Sequence, residues 1–292
     1  FQAEDGIRDL VRSRGLGDVY KRQTPKSKMS KQDQKVVDSV ANSGATLEEA
    51  GDARIGTTKV VVIPNFTQEL IDNGAFHFTN TWTYGRQQRS EVINEGLRLG
   101  TLLGKKLKVR GEEKDLIFTR QNTGKINKRL ISELGFGNSN VFSQIRKETS
   151  NRANLHLSID ARGSMSGGKL TKAMTSAVAM VKACEMAGNI NVVVSFRWTS
   201  QDKPVVIICY DSRKDKINKI KKLWPSINAG GTTPESLCYE ALMKKWLGGV
   251  RGEDNYFINY SDGAPWFSTG GRGYNNPDVY YCGDRAIDHT RR

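Results

Sequence analysis

Leu155-His156-Leu157-Ser158-Ile159-Asp160-Ala161-Arg162-Gly163-Ser164-Met165-Ser166-Gly167-Gly168-Lys169 is the stretch that decides the fold. A short apolar strand runs into an aspartate, a turn of small residues follows, and a helix begins near Lys169. Over Leu170–Ala187 the apolar residues Met174, Ala177, Val178, Val181 and Met186 recur at spacings that allow one buried stripe on a helix. Strand, loop and helix in this order are the repeating unit of a parallel sheet with helices on its faces.

The chain keeps to that alternation downstream. Ile190–Phe196 and Val205–Tyr210 are apolar runs of strand length, joined as a hairpin around Gln201-Asp202-Lys203-Pro204. A basic helix over Lys214–Leu223 comes next, then the turn Gly230-Gly231-Thr232-Thr233-Pro234, a helix over Glu235–Leu247 and a strand over Tyr256–Tyr260. The last strand ends in Ser261-Asp262-Gly263-Ala264-Pro265. The expected fold is α/β, a doubly wound, mostly parallel sheet flanked by helices over residues 151–292. In such sheets ligands gather beyond the carboxyl ends of the strands, and three polar loops lie there.

Upstream, residues 59–150 read as a smaller α+β region. Lys59–Ile63 is a strand closed by Pro64. Gly85–Leu103 is a helix through Val92, Ile93, Leu97, Leu99, Leu102 and Leu103, weakened on propensity by Gly96 and Gly100. Leu116–Arg120 is a strand and Asn127–Leu134 a basic helix stopped by Gly135. Residues 29–58 are small and polar and are expected to form a mobile arm with a short helix around Thr46–Ala50. Residues 1–23 resemble a translated sequencing adapter, and 24–28 an in-frame leader, so that 1–28 stand outside the fold and Met29 is the expected start. Asp284–Arg292 opens a helical pattern without a cap or terminator, so the last domain is expected to be incomplete at its C-terminal end.

Net charge is +14 with 45 Lys and Arg against 31 Asp and Glu. The basic residues are dispersed apart from a tract over Lys105–Arg152, with 12 basic against 5 acidic residues. No aromatic and basic interleaving of the RNA-recognition kind accompanies it, so a basic face that docks an acidic protein surface or is merely solvated is favoured over nucleic-acid binding. Cys184, Cys209, Cys238 and Cys282 form no Cys-x-x-Cys pair, and three lie in apolar runs, which suits buried thiols in a reducing compartment. No apolar stretch approaches the roughly 20 residues that span a bilayer. A soluble, cytoplasmic protein is expected.

Asp160-Ala161-Arg162-Gly163-Ser164-Met165 resembles the Asp-x-Ser-Gly-Ser-Met signature of von Willebrand factor A domains, whose first loop grips a divalent cation. Gly230-Gly231-Thr232-Thr233-Pro234 is similar to the family's Gly-Gly-Thr loop, and Ser261-Asp262-Gly263 to its Ser/Thr-Asp-Gly after a buried strand. The resemblance implies a magnesium (Mg2+) site held by Asp160, Ser164, Thr232 and Asp262, with Thr233 as the fallback for Thr232. Hard oxygen donors of low total charge suit that ion and leave positions for water or a partner's carboxylate. Each piece alone has a bland reading: the threonine loop as a helix start with proline in its first turn, and Asp-Gly as an ordinary turn.

Arg162 stands where the family has its first serine ligand. A guanidinium has no acceptor and is always charged, so it cannot ligate a cation. About 4 Å from a dication its repulsion is on the order of several kcal/mol even at an effective dielectric near 20. Three dispositions are open: the side chain swings outward and water completes a four-residue site; it pairs with Asp160 or Asp262 and takes the metal's place; or the arginine marks a read error or a drifted copy.

Gly85-Arg86, Leu97, Gly104-Lys105-Lys106-Leu107, Gly124–Leu130, Val141–Ile145, Gly168-Lys169 and Ser261–Pro265 follow an order similar to the C-terminal half of the CobT-type subunit of aerobic cobaltochelatase. Shortened relatives occur in tailed phages of marine bacteria; the long acidic region of the bacterial subunit is absent here. The resemblance covers roughly residues 85–292. It implies a subunit without catalysis of its own that pairs with an AAA+ ATPase and helps couple hydrolysis to cobalt insertion by a separate large subunit. His77, His156 and His289 are scattered, and Gly270-Gly271-Arg272-Gly273 lacks the Lys-Ser/Thr of a phosphate loop, so neither argues for an active site. The alternatives are a phage structural or host-interaction protein using the domain for adhesion, and a basic nucleic-acid-binding accessory protein.

Overall fold

Apolar runs without polar alternation become strands covered on both faces, and three such runs form the centre of this molecule. Residues 155–160, 192–198 and 204–211 are buried throughout. The structure, a computed structural model, describes residues 38, 40, 43–72, 84–111, 114–148, 152–200, 203–243, 253–263, 265–270 and 277–291. The leader, the first part of the expected arm, His77, the Gln201-Asp202 turn, the last residues of the helix expected to reach Leu247 and most of the Gly270–Gly273 loop lie outside them.

In chain order the elements are β1 (Thr46–Asp52), β2 (Gly56–Ile63), α1 (Gln68–Asp72), α2 (Tyr84–Gly111), β3 (Lys114–Gln121), β4 (Lys125–Ile126) and β5 (Phe142–Glu148). Then come β6 (Ala153–Asp160), α3 (Lys169–Ala187), β7 (Ile190–Ser200), β8 (Lys203–Asp211), α4 (Asn218–Leu223) and α5 (Glu235–Met243). The described chain closes with β9 (Asp254–Tyr260), β10 (Trp266–Gly270), β11 (Pro277–Cys282) and α6 (Gly283–Arg291). The main sheet has six strands in the order β1-β2-β8-β7-β6-β9. Pairs β2–β8, β6–β7 and β6–β9 are parallel, whereas β1–β2 and the hairpin β7–β8 are antiparallel. The protein is therefore mixed α/β with a mostly parallel sheet.

Two layers cover that sheet, as strand alternation dictates. On one face Val60, Val62, Val206 and Ile208 pack with Leu237, Cys238, Ala241 and Leu242 of α5 and with Phe267, Tyr281 and Ala286. Burying Leu237 and Leu242 stabilises by roughly 2 kcal/mol each. On the other face Phe196, opposite Ile207, meets Trp224 edge-on at 5.2 Å between ring centroids, and Arg89 of α2 donates from Nε to the Pro225 carbonyl at 2.8 Å.

Glycines expected to weaken the long helix are instead its contact face. Gly96, Gly100 and Gly104 of α2 recur every fourth residue, on one side of a helix. A methyl group at Gly96 would stand 2.8 Å from the Thr175 carbonyl oxygen, and one at Gly100 would stand 2.6 Å from that of Ala179, both in α3. Removing side chains lets the two backbones approach, and the helix continues to Gly111.

Several sequence expectations change. The segment over Thr46–Ala50 is neither a helix nor part of a mobile arm: β1 pairs with β2 from Thr46–Val62 to Asp52–Gly56, and the Gly51 N–H donates to Glu240 Oε2 of α5 at 2.8 Å. Pairing across the chain overrides local polarity. Because β2 lies against β8, and residues 40–292 form one compact unit, the expected break between 150 and 151 separates nothing in the main sheet. Asn127–Leu134 is a turn followed by a 3-10 helix over Ile131–Phe136. Asn127 Oδ1 accepts from the Arg129 N–H at 3.1 Å, which favours the turn. It belongs beside a small sheet, β3-β5-β4. The basic helix begins at Asn218 rather than Lys214 because Asp211 Oδ1 accepts the Arg213 N–H at 3.1 Å and Nε at 2.9 Å, holding a turn there.

Candidate functional site

The parallel register delivers the site. Ile159 of β6 lies beside Tyr260 of β9, so Asp160 and Ser261-Asp262 leave the sheet at the same end. Three backbone bonds stitch the loops together: Ala161 N–H to the Arg197 carbonyl (2.9 Å), Gly230 N–H to that of Ala161 (2.7 Å) and Gly163 N–H to that of Gly231 (3.2 Å). Gly231 has φ +71°, and a Cβ there would lie 2.3 Å from the Thr199 carbonyl oxygen, so the approach requires glycine. Thr233 exchanges two backbone bonds with Trp266, at 3.0 and 3.1 Å, which pins the threonine loop.

Asp160 is fully buried. Its Oδ1 accepts the Arg162 backbone N–H at 3.0 Å, and its Oδ2 accepts the hydroxyls of Thr233 and Ser261, each at 3.3 Å. Asp262 carries more donors. Ser164 Oγ lies 3.0 and 2.8 Å from its two oxygens, and Lys169 Nζ 2.8 Å from Oδ2. Arg162 places Nε at 2.9 Å and Nη2 at 2.5 Å from Oδ1. The same Nε is 3.9 Å from Asp160 Oδ2, so the guanidinium lies between the two carboxylates.

Of the expected metal residues, Asp160, Ser164 and Asp262 converge. The Thr232 hydroxyl turns to Thr199 Oγ1 at 2.7 Å, and it is Thr233 whose hydroxyl reaches Asp160. The sequence favoured Thr232 with Thr233 as fallback; the structure turns the fallback residue to Asp160 instead, because neighbouring residues point to opposite sides of an extended loop. Among the described residues no group of three or more His, Cys, Asp and Glu is placed to hold a metal ion. The cluster has two carboxylates, with hydroxyls as the other oxygen donors.

Two residues important to this geometry were missed as site residues. Lys169 was visible as the first residue of the helix after the loop. Arg197 sits two residues before Thr199 on β7, fully buried, just past the apolar run that marked the strand. It donates to Ser158 Oγ (2.8 Å), Glu235 Oε1 (2.9 Å) and Asn259 Oδ1 (2.7 Å), and lies 5.0 Å from the centre of the Tyr239 ring. A charged residue ending an apolar strand was the available signal.

Electrostatics follows from these neighbours. Burial raises the Asp160 carboxyl above the usual carboxylate range, against the opposing pull of Arg197 and Arg162. Burial pushes Asp262 the same way, but hydrogen bonds from Lys169, Ser164 and Arg162 outweigh it and hold the carboxyl at about 2. So strong an acid is a poor proton acceptor, and Ser164 gains no activation as a nucleophile from it. His156 Nε2 is 2.8 Å from Ser195 Oγ, yet both are buried, and desolvation followed by Arg197 lowers the imidazole to about 4. That pair belongs to the core. A cleft of about 950 Å³ opens beside the cluster, lined by Arg89, Gly167, Gly168, Thr171, Gly230 and Gly231.

No protein-family model matches the chain, and no curated protein matches it either. Among the described residues no helix is long and apolar enough to cross a membrane.

Proposed function

We propose that this chain is a protein-interaction subunit built on a von Willebrand factor A-type domain, similar to the CobT-type subunit of cobaltochelatase. It works as a coupling partner of an AAA+ ATPase rather than as a catalyst. The observation that carries this reading is the convergence of Asp160, Ser164, Thr233 and Asp262 from three separate loops at the carboxyl ends of β6 and β9 and before α5. Lys169, 57% exposed beside that cluster, offers an ammonium group to an acidic side chain. The pairing of Ser164 supports binding over nucleophilic catalysis, since its hydroxyl faces a carboxyl held near 2.

The test is co-purification. An AAA+ ATPase encoded beside this gene is expected to be retained by the immobilised chain, and Asp262→Ala is expected to reduce retention at least tenfold. Equal retention by the two proteins would set the contact elsewhere. A neighbourhood of tail and baseplate genes, with binding to a host-surface component, would favour adhesion instead.

A further inference from the structure

We infer that Arg162 and Lys169 form a tethered cation that takes the place of a divalent metal, so that the cluster is complete without magnesium. The residues present do not fit the ion. Magnesium demands near-octahedral oxygen ligands at about 2.0–2.1 Å, and the region between the carboxylates is filled by a guanidinium that can only donate. Arg162 approaches Asp262 with two nitrogens, at 2.9 and 2.5 Å, and Asp160 with one at 3.9 Å. Its side chain is only 16% exposed, so it is packed into the site rather than swung into solvent.

Charge balance agrees. Asp160 and Asp262 bring two negative charges, and Arg162 and Lys169 bring the two positive charges a dication would supply. Lys169 is held at 2.8 Å from Asp262 Oδ2, while Arg162 Nε and Nη2 bond Oδ1. Ser164, implied as a metal ligand, gives its hydroxyl to the same carboxylate. Charge-assisted bonds of this kind are short and strong, and magnesium would have to displace them. Lys169 is 57% exposed, so an incoming carboxylate meets an ammonium group with the guanidinium behind it. This extends the interaction reading above, but its test needs no partner.

Magnesium titration by calorimetry and melting in magnesium or EDTA, on the full chain, decide the matter. The wild-type protein is expected to give no saturable heat and the same melting temperature in both media. Arg162→Ser, which restores a hydroxyl donor, is expected to bind magnesium and to melt several degrees higher with the ion than in EDTA. Saturable wild-type binding that disappears in Asp262→Asn overturns the inference, and so does a folded Arg162→Ser that gains no magnesium response. Should Arg162→Ser fail to fold, the wild-type titration with its Asp262→Asn control still decides. Because the isolated protein is measured, failure here is separate from failure to retain an ATPase.

Discussion

The guanidinium of Arg162 and the carboxylate of Asp262 form a two-nitrogen contact across one hundred residues of chain, with Nε and Nη2 at 2.9 and 2.5 Å from one oxygen. Parallel pairing of β6 with β9 creates that proximity, since each residue lies two positions beyond the end of its strand. The contact joins the first and third loops of the cluster, so its loss affects both the site and the stability of the sheet end.

Removing the Asp262 charge leaves two cations facing each other around a mostly buried position; the aspartate side chain is 11% exposed. Breaking one partner of a fully buried pair costs about 3–5 kcal/mol, and an exposed pair contributes up to about 1. Asp262→Asn is therefore expected to destabilise by roughly 1–3 kcal/mol. Urea denaturation reads this as a lower midpoint at unchanged slope, and a midpoint equal to that of the wild type would refute it.

Acid should destabilise the fold through His156. His156 is depressed to about 4 in the folded chain, against about 6.5 when unfolded. Between those values the unfolded chain binds the proton and the folded chain does not, so stability falls as pH drops from about 6.5 to about 4. The loss is on the order of 3 kcal/mol. Asp262, depressed to about 2, adds a further loss below the ordinary carboxylate pKa, while Asp160, shifted upward, acts in the opposite direction. Stability measured across pH 4–7 should slope, and His156→Gln should flatten the slope; an unchanged slope would exclude His156 as its source.

Gly100→Ala tests the helix contact. Helix propensity favours alanine by about 1 kcal/mol. Against that, the new Cβ would sit 2.6 Å from the Ala179 carbonyl oxygen and 2.7 Å from Lys182 Cβ. Overpacking of this kind costs typically about 1–3 kcal/mol, so a net loss of up to about 2 kcal/mol is expected by thermal or urea unfolding. A gain in stability would mean that α2 and α3 separate readily.

Arg197 tests the buried support under the site. Its Nη2 and the Tyr239 hydroxyl both donate to Glu235 Oε1, each at 2.9 Å. Arg197→Met leaves the Glu235 charge unpaired in the core and should destabilise by about 3–5 kcal/mol. Adding Glu235→Gln should recover a substantial part of that loss. Strict additivity of the two substitutions in denaturation experiments would show that the residues are not coupled.

Much of this was legible from local pattern. The strand before Asp160, the helix after it and the hairpin of β7 and β8 appear where the apolar runs placed them. β1 was not legible, because a polar segment becomes a strand only when β2 offers its edge. Gly96 and Gly100 read as weak helix positions because propensity knows nothing of the neighbouring Thr175 and Ala179 carbonyls. Preferring Thr232 to Thr233 was mistaken, because the direction of each depends on the pairing of Thr233 with Trp266, which local sequence does not reveal. Arg197 escaped notice because its partners Ser158, Glu235 and Asn259 come from three distant segments.

The amino-acid sequence determined the alternation of strands and helices and the order in which Asp160, Ser164, the threonine pair and Asp262 occur. Hydrophobic period, chain-breaking glycines and prolines, and small-residue loops are local properties. Tertiary structure decided where Arg162 points. A guanidinium settles where opposing charge is nearest, and here that charge is Asp262, brought within 2.5 Å by a strand one hundred residues away.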